Sequence, residues 1–362
     1  RYLQVWRQGG MWRNRKEGLR LGKQFILQSV SIFAVAYGTM LAFWPWAEVH
    51  PLSGPWKAFR TITSFPHIQH SFFEGKYVRS TEIPWYYIPK WLLLTLPEFL
   101  FVGLAAGAVC AAAYGFRRRK SGDLPVFQRT LVAFSAFFPI GYAVLMRTPF
   151  YDGLRHVLFA VPPLVVLSAV GIGDMLVRLH SRSMQRGLLV ISVGLLALTL
   201  WDMGRLHPNE YVYFNRLFAG GVKQASTDYE TDYWNHSYKQ GVKWIERHYH
   251  WDFSERKLRI GSFYSHIRFM IDPERYAYVD RPEEADLYLG TTRYDRHRII
   301  PGEMVHAIRA GGATLLYIIR PDSSFQDDPF FAESPFRLMY LGMGYRGAEE
   351  KEKAQALRLR PN

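Results

Sequence analysis

Residues 147–176 read RTPFYDGLRHVLFAVPPLVVLSAVGIGDML. This stretch places Asp152, Arg155 and His156 directly before an uncharged run, residues 157–173. A bilayer core takes about 20 apolar residues per helix, and shorter spans occur, so this run predicts a transmembrane helix. Ionisable residues beside a span are costly unless they face protein or water. The three charged or titratable residues are therefore functional candidates.

Four more apolar runs lie on either side of this stretch: residues 24–47, 91–116, 130–146 and 187–201. The first two have the length of a full span, and the last is the weakest candidate. Together the runs predict a polytopic α-helical membrane protein with about five transmembrane helices.

The charge of the chain is divided unequally. Lys and Arg number 45 against 31 Asp and Glu, which gives a net charge of +14. Residues 1–201 hold 22 of the basic and 8 of the acidic residues, whereas the rest of the chain holds 23 of each. The basic residues cluster between the apolar runs, as the positive-inside rule describes, and not along one soluble face. This pattern favours membrane lipids over nucleic acid as partners.

Orientation follows from three basic clusters, residues 1–23, 117–129 and 178–186. They fall on one side, the cytoplasmic side, if every run spans the membrane. We therefore predict a basic cytoplasmic segment (1–23), a transmembrane region (24–201) with a long outer loop (48–90), and an extracytoplasmic domain (202–362). Residues 147–156 would then face the outside together with that domain.

The C-terminal domain has the pattern of a small α/β fold. YKQGVKWIERHYH (238–250) predicts an amphipathic helix, and KLRIGSFY (257–264), ADLYLGTT (285–292) and ATLLYIIR (313–320) predict strands. PGEMVHAIRAGG (301–312) predicts a helix that ends at glycine. Strands that alternate with helices favour a mostly parallel sheet. The charged end of the chain, residues 347–362, predicts a terminal helix.

The outer loop carries its own signals. Apolar residues at roughly helical spacing in residues 54–73 predict a short helix in the membrane interface, ended by Pro66. His67 and His70 are three residues apart, which is compatible with metal ligation on a helix. No Cys or carboxylate lies at a familiar ligand spacing, so solvated or interfacial histidines fit better.

Two chemical interpretations of residues 152–156 stay open at this point. An Arg fork binds phosphate oxygens and a His adds a second donor, so Arg155 and His156 suit the phosphate of a lipid-linked substrate. Equally, Arg155 could be a membrane anchor that pairs with Asp152 to cap the helix. HPNEYVYFN (207–215) and DYETDYWNHSY (228–238) interleave carboxylates with aromatic rings, which suits sugar binding or packing at a membrane interface.

Five segments in order resemble the C-terminal half of bacterial phospholipid-carrier-dependent glycosyltransferases. These are GT-C enzymes related to the protein O-mannosyltransferases and the aminoarabinose transferase. The matching segments are WPWAEVHPL (44–52), FFEGKYVRSTEIPWYYIPKWLLLTLPEF (72–99), YDGLRHVLFAVPPL (151–164), HPNEYVYFNRLFAGG (207–221) and TDYWNHSYKQGVKWI (231–245). The order of the five is more specific than any one of them.

The resemblance implies an enzyme of the bacterial inner membrane. It would transfer a sugar from a polyprenyl-phosphate carrier to a glycan, lipid or protein acceptor on the extracytoplasmic side. It implies no cofactor beyond a divalent metal, which it leaves open. The implied site residues are Arg155, His156, Lys76 and Arg79 for the carrier phosphate, and Asp152, Tyr86, Tyr87 and Asp232 for the acceptor or sugar.

The resemblance also implies where the catalytic acid lies. In the similar glycosyltransferases it belongs to the first outer loop, near the N-terminus, and this sequence has no recognisable equivalent. We therefore expect the chain to be the C-terminal part of such an enzyme, and no catalytic residue is named. The alternative function is a non-catalytic membrane subunit that binds a lipid carrier or a partner protein.

Overall fold

The computed structural model describes residues 15–63, 69–114, 126–280, 282–298 and 300–322. Pro66, His67, the predicted terminal helix, and most of the basic segments 1–23 and 117–129 lie outside these ranges. Contacts divide the chain into two compact units, Arg1–His67 and Ile68–Asn362.

The first unit is helical. Its helices are α1 (Arg15–Phe43), α2 (Pro45–Val49) and α3 (Ser53–Thr63). Pro45 occupies the first turn of α2, where its missing N–H costs nothing. The short helix predicted within residues 54–73 is confirmed as α3, and its position in the membrane interface stays a prediction. Its Trp56 and Phe59 rings stack at 5.8 Å and are 61% and 58% exposed.

The second unit begins with a hairpin and continues with helices. The hairpin pairs β1 (His70–Phe73) with β2 (Lys76–Arg79), and His70 therefore begins a strand and not a helix. The long helices are α4 (Tyr87–Thr95), α5 (Glu98–Tyr114), α6 (Val126–Leu145), α7 (Val161–Arg178) and α8 (Arg182–Leu206). A 3-10 turn, Arg155–Ala160, leads directly into α7. The shorter helices are α9 (Arg216–Ala219), α10 (Gly221–Ala225) and α11 (Ser237–His248), and the remaining 3-10 turns are Glu210–Val212, Ser265–Phe269, Pro282–Glu284 and Arg293–Arg298.

Three helices of the described residues are long and apolar enough to cross a membrane: Gly22–Phe43, Arg155–Arg178 and Arg182–Leu206. A fourth is possible if α4 and α5 form one broken span, since they meet at an angle of 113°. The break follows from Pro97, which disfavours a helical conformation at Leu96. The membrane-protein class is therefore supported by three or four helices, while the count of five stays a prediction.

Glycines set the closest helix packing. A Cβ atom added to Gly171 of α7 would lie 2.0 Å from the carbonyl oxygen of Gly103 in α5. One added to Gly103 would lie 2.0 Å from the Ser168 hydroxyl. Small residues let helix backbones approach closely where lipid offers no hydrophobic driving force for association. At the far end of α7, Asp174 accepts from Arg129 at 2.7 and 3.2 Å.

The C-terminal sheet has five strands in the order β4-β3-β5-β7-β6. Its strands are β3 (Leu258–Ser262), β4 (Tyr276–Val279), β5 (Leu287–Thr291), β6 (Gly302–Ala310) and β7 (Ala313–Pro321). The predicted strands are confirmed as β3, β5 and β7, and the predicted amphipathic helix is confirmed as α11. The β3 strand pairs in parallel with β4 and β5, whereas β7 pairs antiparallel with β5 and β6. The sheet is thus mixed, and the prediction of a mostly parallel one was wrong.

The prediction of a helix at residues 301–312 was also wrong, because this segment forms β6. Gly311 and Gly312 have φ of +56° and +89° and connect the paired residues Ala310 and Ala313. Two successive residues with positive φ form the tight turn that joins antiparallel strands. The glycines therefore turn a hairpin and do not end a helix.

One hydrophobic core crosses the predicted boundary after residue 201. It contains Trp91 of α4, Leu206 at the end of α8, Phe214, and Leu315 of the sheet. All four are less than 6% exposed. The sheet is therefore packed against the ends of the apolar helices. A second core, which includes Ile260 and Ile245, fills the space between the sheet and α11.

Candidate functional site

The candidate site begins with a turn in an unusual conformation. Asp152 has a φ of +56° and Gly153 a φ of +70°. Positive φ is costly for a residue other than glycine. The Asp152 N–H donates to the Ser71 hydroxyl of β1 at 3.1 Å, and the Gly153 N–H donates to the Tyr87 hydroxyl of α4 at 3.3 Å. Two elements distant in sequence thus fix this turn.

The carboxylate of Asp152 lies between two arginines. Its Oδ2 lies 3.2 Å from Nη1 of Arg155, and its Oδ1 lies 2.9 Å from Nη2 of Arg293. Arg155 begins the apolar helical segment, whereas Arg293 belongs to the 3-10 turn after β5. The Asp152 and Arg293 side chains are only 4% and 5% exposed. The buried pair connects the edge of the apolar helices to the sheet.

Arg293 organises the residues around it. Its Nη1 donates to the Tyr233 carbonyl at 2.8 Å, and its Nη2 donates to the Tyr294 hydroxyl at 3.2 Å. The Tyr294 hydroxyl donates in turn to the His70 carbonyl at 2.9 Å. Burial alone would lower the pKa of Arg293, but the nearby Glu230, Tyr294 and Asp152 raise it. The guanidinium is therefore charged.

A second buried acid lies beside this pair. Glu230 exchanges hydrogen bonds with β1: its N–H donates to the Phe72 carbonyl at 3.0 Å, and its Oε2 accepts from the Phe72 N–H at 3.3 Å. Burial raises the pKa of Glu230 to about 7, against the opposing effect of Arg293. Glu230 therefore keeps its proton to a higher pH than an exposed glutamate does.

Positive charge exceeds negative charge in this cluster. Arg155, Arg293 and Arg296 supply three guanidinium groups, whereas Asp152 and Glu230 supply at most two negative charges. Arg296 is 1% exposed, and its Cζ lies 3.4 Å from the ring centroid of Phe263. Within the described ranges its Nε and Nη1 have no hydrogen-bond partner. The cluster is therefore electropositive where the apolar helices meet the sheet.

Arg155 and His156 present donors to the surroundings. Arg155 Nε donates to His156 Nε2 at 3.2 Å. Because this nitrogen accepts, the neutral His156 ring carries its proton on Nδ1. Neither Arg155 Nη2 nor His156 Nδ1 has a hydrogen-bond partner among the residues that the structure describes. Both side chains therefore hold N–H groups suited to an anion.

Two aromatic rings flank Arg155. Its Cζ lies 4.2 Å from the ring centroid of Tyr151 and 5.4 Å from that of Trp234. Trp234 is 59% exposed, although it follows the buried segment 230–232. An arginine beside aromatic faces is stabilised by cation–π attraction. Of the two rings, Tyr151 lies closer to the guanidinium of Arg155.

Asp232 is buried and is not part of the exposed surface around Arg155. Its carboxylate is buried and accepts hydrogen bonds from the Tyr211 hydroxyl, the Ser237 hydroxyl and the His236 N–H. Burial raises its pKa. These bonds hold the turn before α11, which is a structural role, and the predicted contact with an acceptor stays a prediction.

The other predicted site residues surround the turn. Tyr87 is buried, and its hydroxyl accepts from Gly153. Tyr86 donates to Glu74 at 3.1 Å, and Lys90 pairs with the same carboxylate. Lys76 and Arg79 lie on β2, whereas the hydrogen bond to Asp152 comes from Ser71 on β1. Arg79 Nη1 lies 3.6 Å from the Glu82 carboxylate. Phosphate binding by Lys76 and Arg79 stays a prediction.

The described residues form no assembled metal site. No group of three or more His, Cys, Asp or Glu is arranged there to hold a metal ion. This observation does not test whether a divalent metal takes part, which the resemblance left open.

Comparison with known proteins gives no relative. No family model matches the chain, and no curated protein or solved structure matches it either.

Sequence reasoning missed four residues of the site: Arg293, Arg296, Glu230 and Trp234. Glu230 and Trp234 lie in the aromatic and acidic block 228–238, so their types were noticed but their neighbours were not. Arg293 lies in RYDRHR (293–298), which has the pattern of a solvated basic turn. No local signal could have shown that its guanidinium is buried against Asp152.

Proposed function

We propose that the chain is the C-terminal part of a membrane glycosyltransferase that takes a sugar from a polyprenyl-phosphate carrier. The observation that carries the proposal is the pair Arg155 and His156, whose Nη2 and Nδ1 donors lie at the start of an apolar helical segment long enough to span a membrane. A lipid phosphate has its apolar chain in the bilayer and its charge at the surface. N–H donors at the membrane surface therefore suit the charge of a lipid phosphate.

Electrostatics support an anionic ligand. The excess of guanidinium groups around Asp152 and Glu230 is unfavourable close to an apolar phase, and a bound phosphate would reduce it. The positive end of the helix dipole at Arg155–Ala160 acts in the same direction. The reaction in this proposal is an inverting displacement at the anomeric carbon, in which cations stabilise the departing phosphate. The proposal assigns the base to no residue of this chain.

The proposed arrangement in the membrane follows the charge pattern. About five spans, with basic loops in the cytoplasm, would place residues 69–90, 147–156 and the sheet on the extracytoplasmic side of the bacterial inner membrane. Contacts of Asp152 with Ser71 and Arg293 join these three segments, which supports their common side.

Binding of undecaprenyl phosphate to the protein in lipid nanodiscs tests the proposal. We expect saturable binding that Arg155→Ala weakens at least tenfold, since a charge-assisted hydrogen bond contributes about 1.5–3 kcal/mol. Arg147→Ala is the matched control, because Arg147 is an exposed arginine at the end of the neighbouring helix α6. Undecaprenol, which lacks the phosphate, should not compete. Absence of binding by the wild-type protein would refute the proposal.

The second measurement separates the enzyme from the alternative subunit. Membranes of cells that express the whole natural gene are given undecaprenyl-phosphoryl sugars labelled in the sugar, and transfer of label to acceptor material is measured. Transfer that Arg155→Ala abolishes supports the glycosyltransferase. Binding of the carrier without transfer favours the non-catalytic subunit.

A further inference from the structure

Trp234 is the most exposed aromatic residue in contact with the candidate phosphate donors. Its side chain is 59% exposed, and its ring centroid lies 5.4 Å from the Cζ atom of Arg155. Leaving a large aromatic surface in water has a cost in free energy, so its position beside Arg155 needs a reason.

The backbone under Trp234 is fixed on both sides. The carbonyl of Tyr233 accepts from buried Arg293 at 2.8 Å, and the N–H of Asn235 donates to the Asp232 carbonyl at 3.0 Å. Asn235 adopts a left-handed φ of +54° and is 7% exposed. These two hydrogen bonds thus hold the backbone at the exposed indole in a tight turn. A ring held in this way loses little conformational entropy when a ligand covers it.

The spacing between ring and cation fits a sugar phosphate. A phosphate oxygen accepts from a guanidinium N–H at roughly 2.8 Å. In a glycosyl phosphate, a single bridging oxygen separates the phosphorus from the sugar ring. A phosphate on Arg155 therefore places the sugar within reach of Trp234, whose flat apolar face suits the C–H groups of a pyranose.

We propose that Trp234 is the platform on which the pyranose ring of a glycosyl phosphate stacks while its phosphate binds Arg155 and His156. This inference rests on the proposed function and names the part of the site that senses the sugar. Trp234 is a binding residue in this arrangement and takes no part in bond making. Tyr233, whose carbonyl Arg293 holds, acts only as a positioning residue.

The test compares lipids that differ in the sugar alone. Undecaprenyl phosphate is compared with undecaprenyl-phosphoryl glucose, mannose and N-acetylglucosamine on the protein in nanodiscs. We expect Trp234→Ala to weaken binding of at least one glycosylated lipid by about threefold to tenfold, the range for an aromatic contact. Binding of undecaprenyl phosphate should stay within a factor of two. Trp234→Phe should recover most of the loss, and Trp85→Ala, which removes another exposed indole, should change neither.

The other outcomes contradict either the role of Trp234 or the proposed function. If Trp234→Ala weakens the bare and the glycosylated lipids equally, the indole only supports Arg155 or contacts the lipid chain, and the inference is wrong. If no sugar binds better than the bare phosphate and the substitution has no effect, it is also wrong, although the proposed carrier site stands. If the wild-type protein does not bind undecaprenyl phosphate, the proposed function itself fails.

Discussion

Arg293 Nη2 lies 2.9 Å from Asp152 Oδ1, and both side chains are almost completely buried. This contact joins the turn before the fourth apolar run, residues 157–173, to the 3-10 turn that follows β5. Removal of one partner of a buried pair leaves an uncompensated charge, which costs far more than the pair itself contributes. The contact therefore makes stability and site geometry depend on each other.

The first prediction concerns this pair. Asp152→Ala and Arg293→Met should each lower the free energy of unfolding by about 3–5 kcal/mol, and the double variant should lose less than the sum. Thermal unfolding in detergent measures the three variants against the wild type. The exposed pair Arg320 and Glu303 is the control, and its disruption should cost about 1 kcal/mol or less. Additive losses in the double variant would contradict the coupling.

The second prediction concerns pH. Burial raises the pKa of Glu230 from its ordinary value of 4.5 to about 7. Between these pH values the folded protein keeps a proton that the unfolded chain has lost, so stability should fall as pH rises through the window. Glu230→Gln cannot ionise and should flatten this slope. The measurement is the unfolding midpoint from pH 4 to 8, with Glu303→Gln as an exposed control. An unchanged slope in Glu230→Gln would count against a buried, protonated acid.

The third prediction concerns the contact between α5 and α7. Gly171→Ala should destabilise the protein by about 1–3 kcal/mol, because the new methyl group meets the backbone of Gly103 and Gly107 and forces the helices apart. Gly173→Ala is the matched control on the same helix, where no atom lies within 4 Å of the added carbon. This control should be neutral or slightly stabilising. Equal melting temperatures for the two variants would show that the helices are not closely packed.

The fourth prediction concerns the turn that replaces the expected helix. Gly311→Ala combines a positive φ with a methyl group 2.4 Å from Val222, so it should destabilise the sheet by more than the roughly 1–2 kcal/mol of backbone strain alone. Gly221→Ala isolates the strain, because its φ is +80° and nothing lies near the added carbon. The midpoint of thermal unfolding, followed by circular dichroism, should be lower for Gly311→Ala than for Gly221→Ala. The reverse ranking would contradict the hairpin.

Much of the architecture was predictable because hydropathy acts over short distances along the chain. The apolar runs at residues 157–173 and 187–201 lie in helices, and three β-rich runs became β3, β5 and β7. The errors came where two patterns share the same residues. Residues 301–312 have glycines at their end, as a stopped helix does, but a Gly-Gly pair equally turns a hairpin. The segment forms a strand because it pairs with β7.

The class of protein follows from local sequence: apolar helices with basic connections, followed by a polar domain with strands, and an Arg-His pair at the start of one helix. These properties depend on the residues within each segment. The folded structure was needed to show that Arg293 neutralises Asp152, that Glu230 is buried beside them, and that Trp234 lies next to Arg155. Charge pairing and desolvation depend on distances in space between residues far apart in the chain, and no local pattern contains those distances.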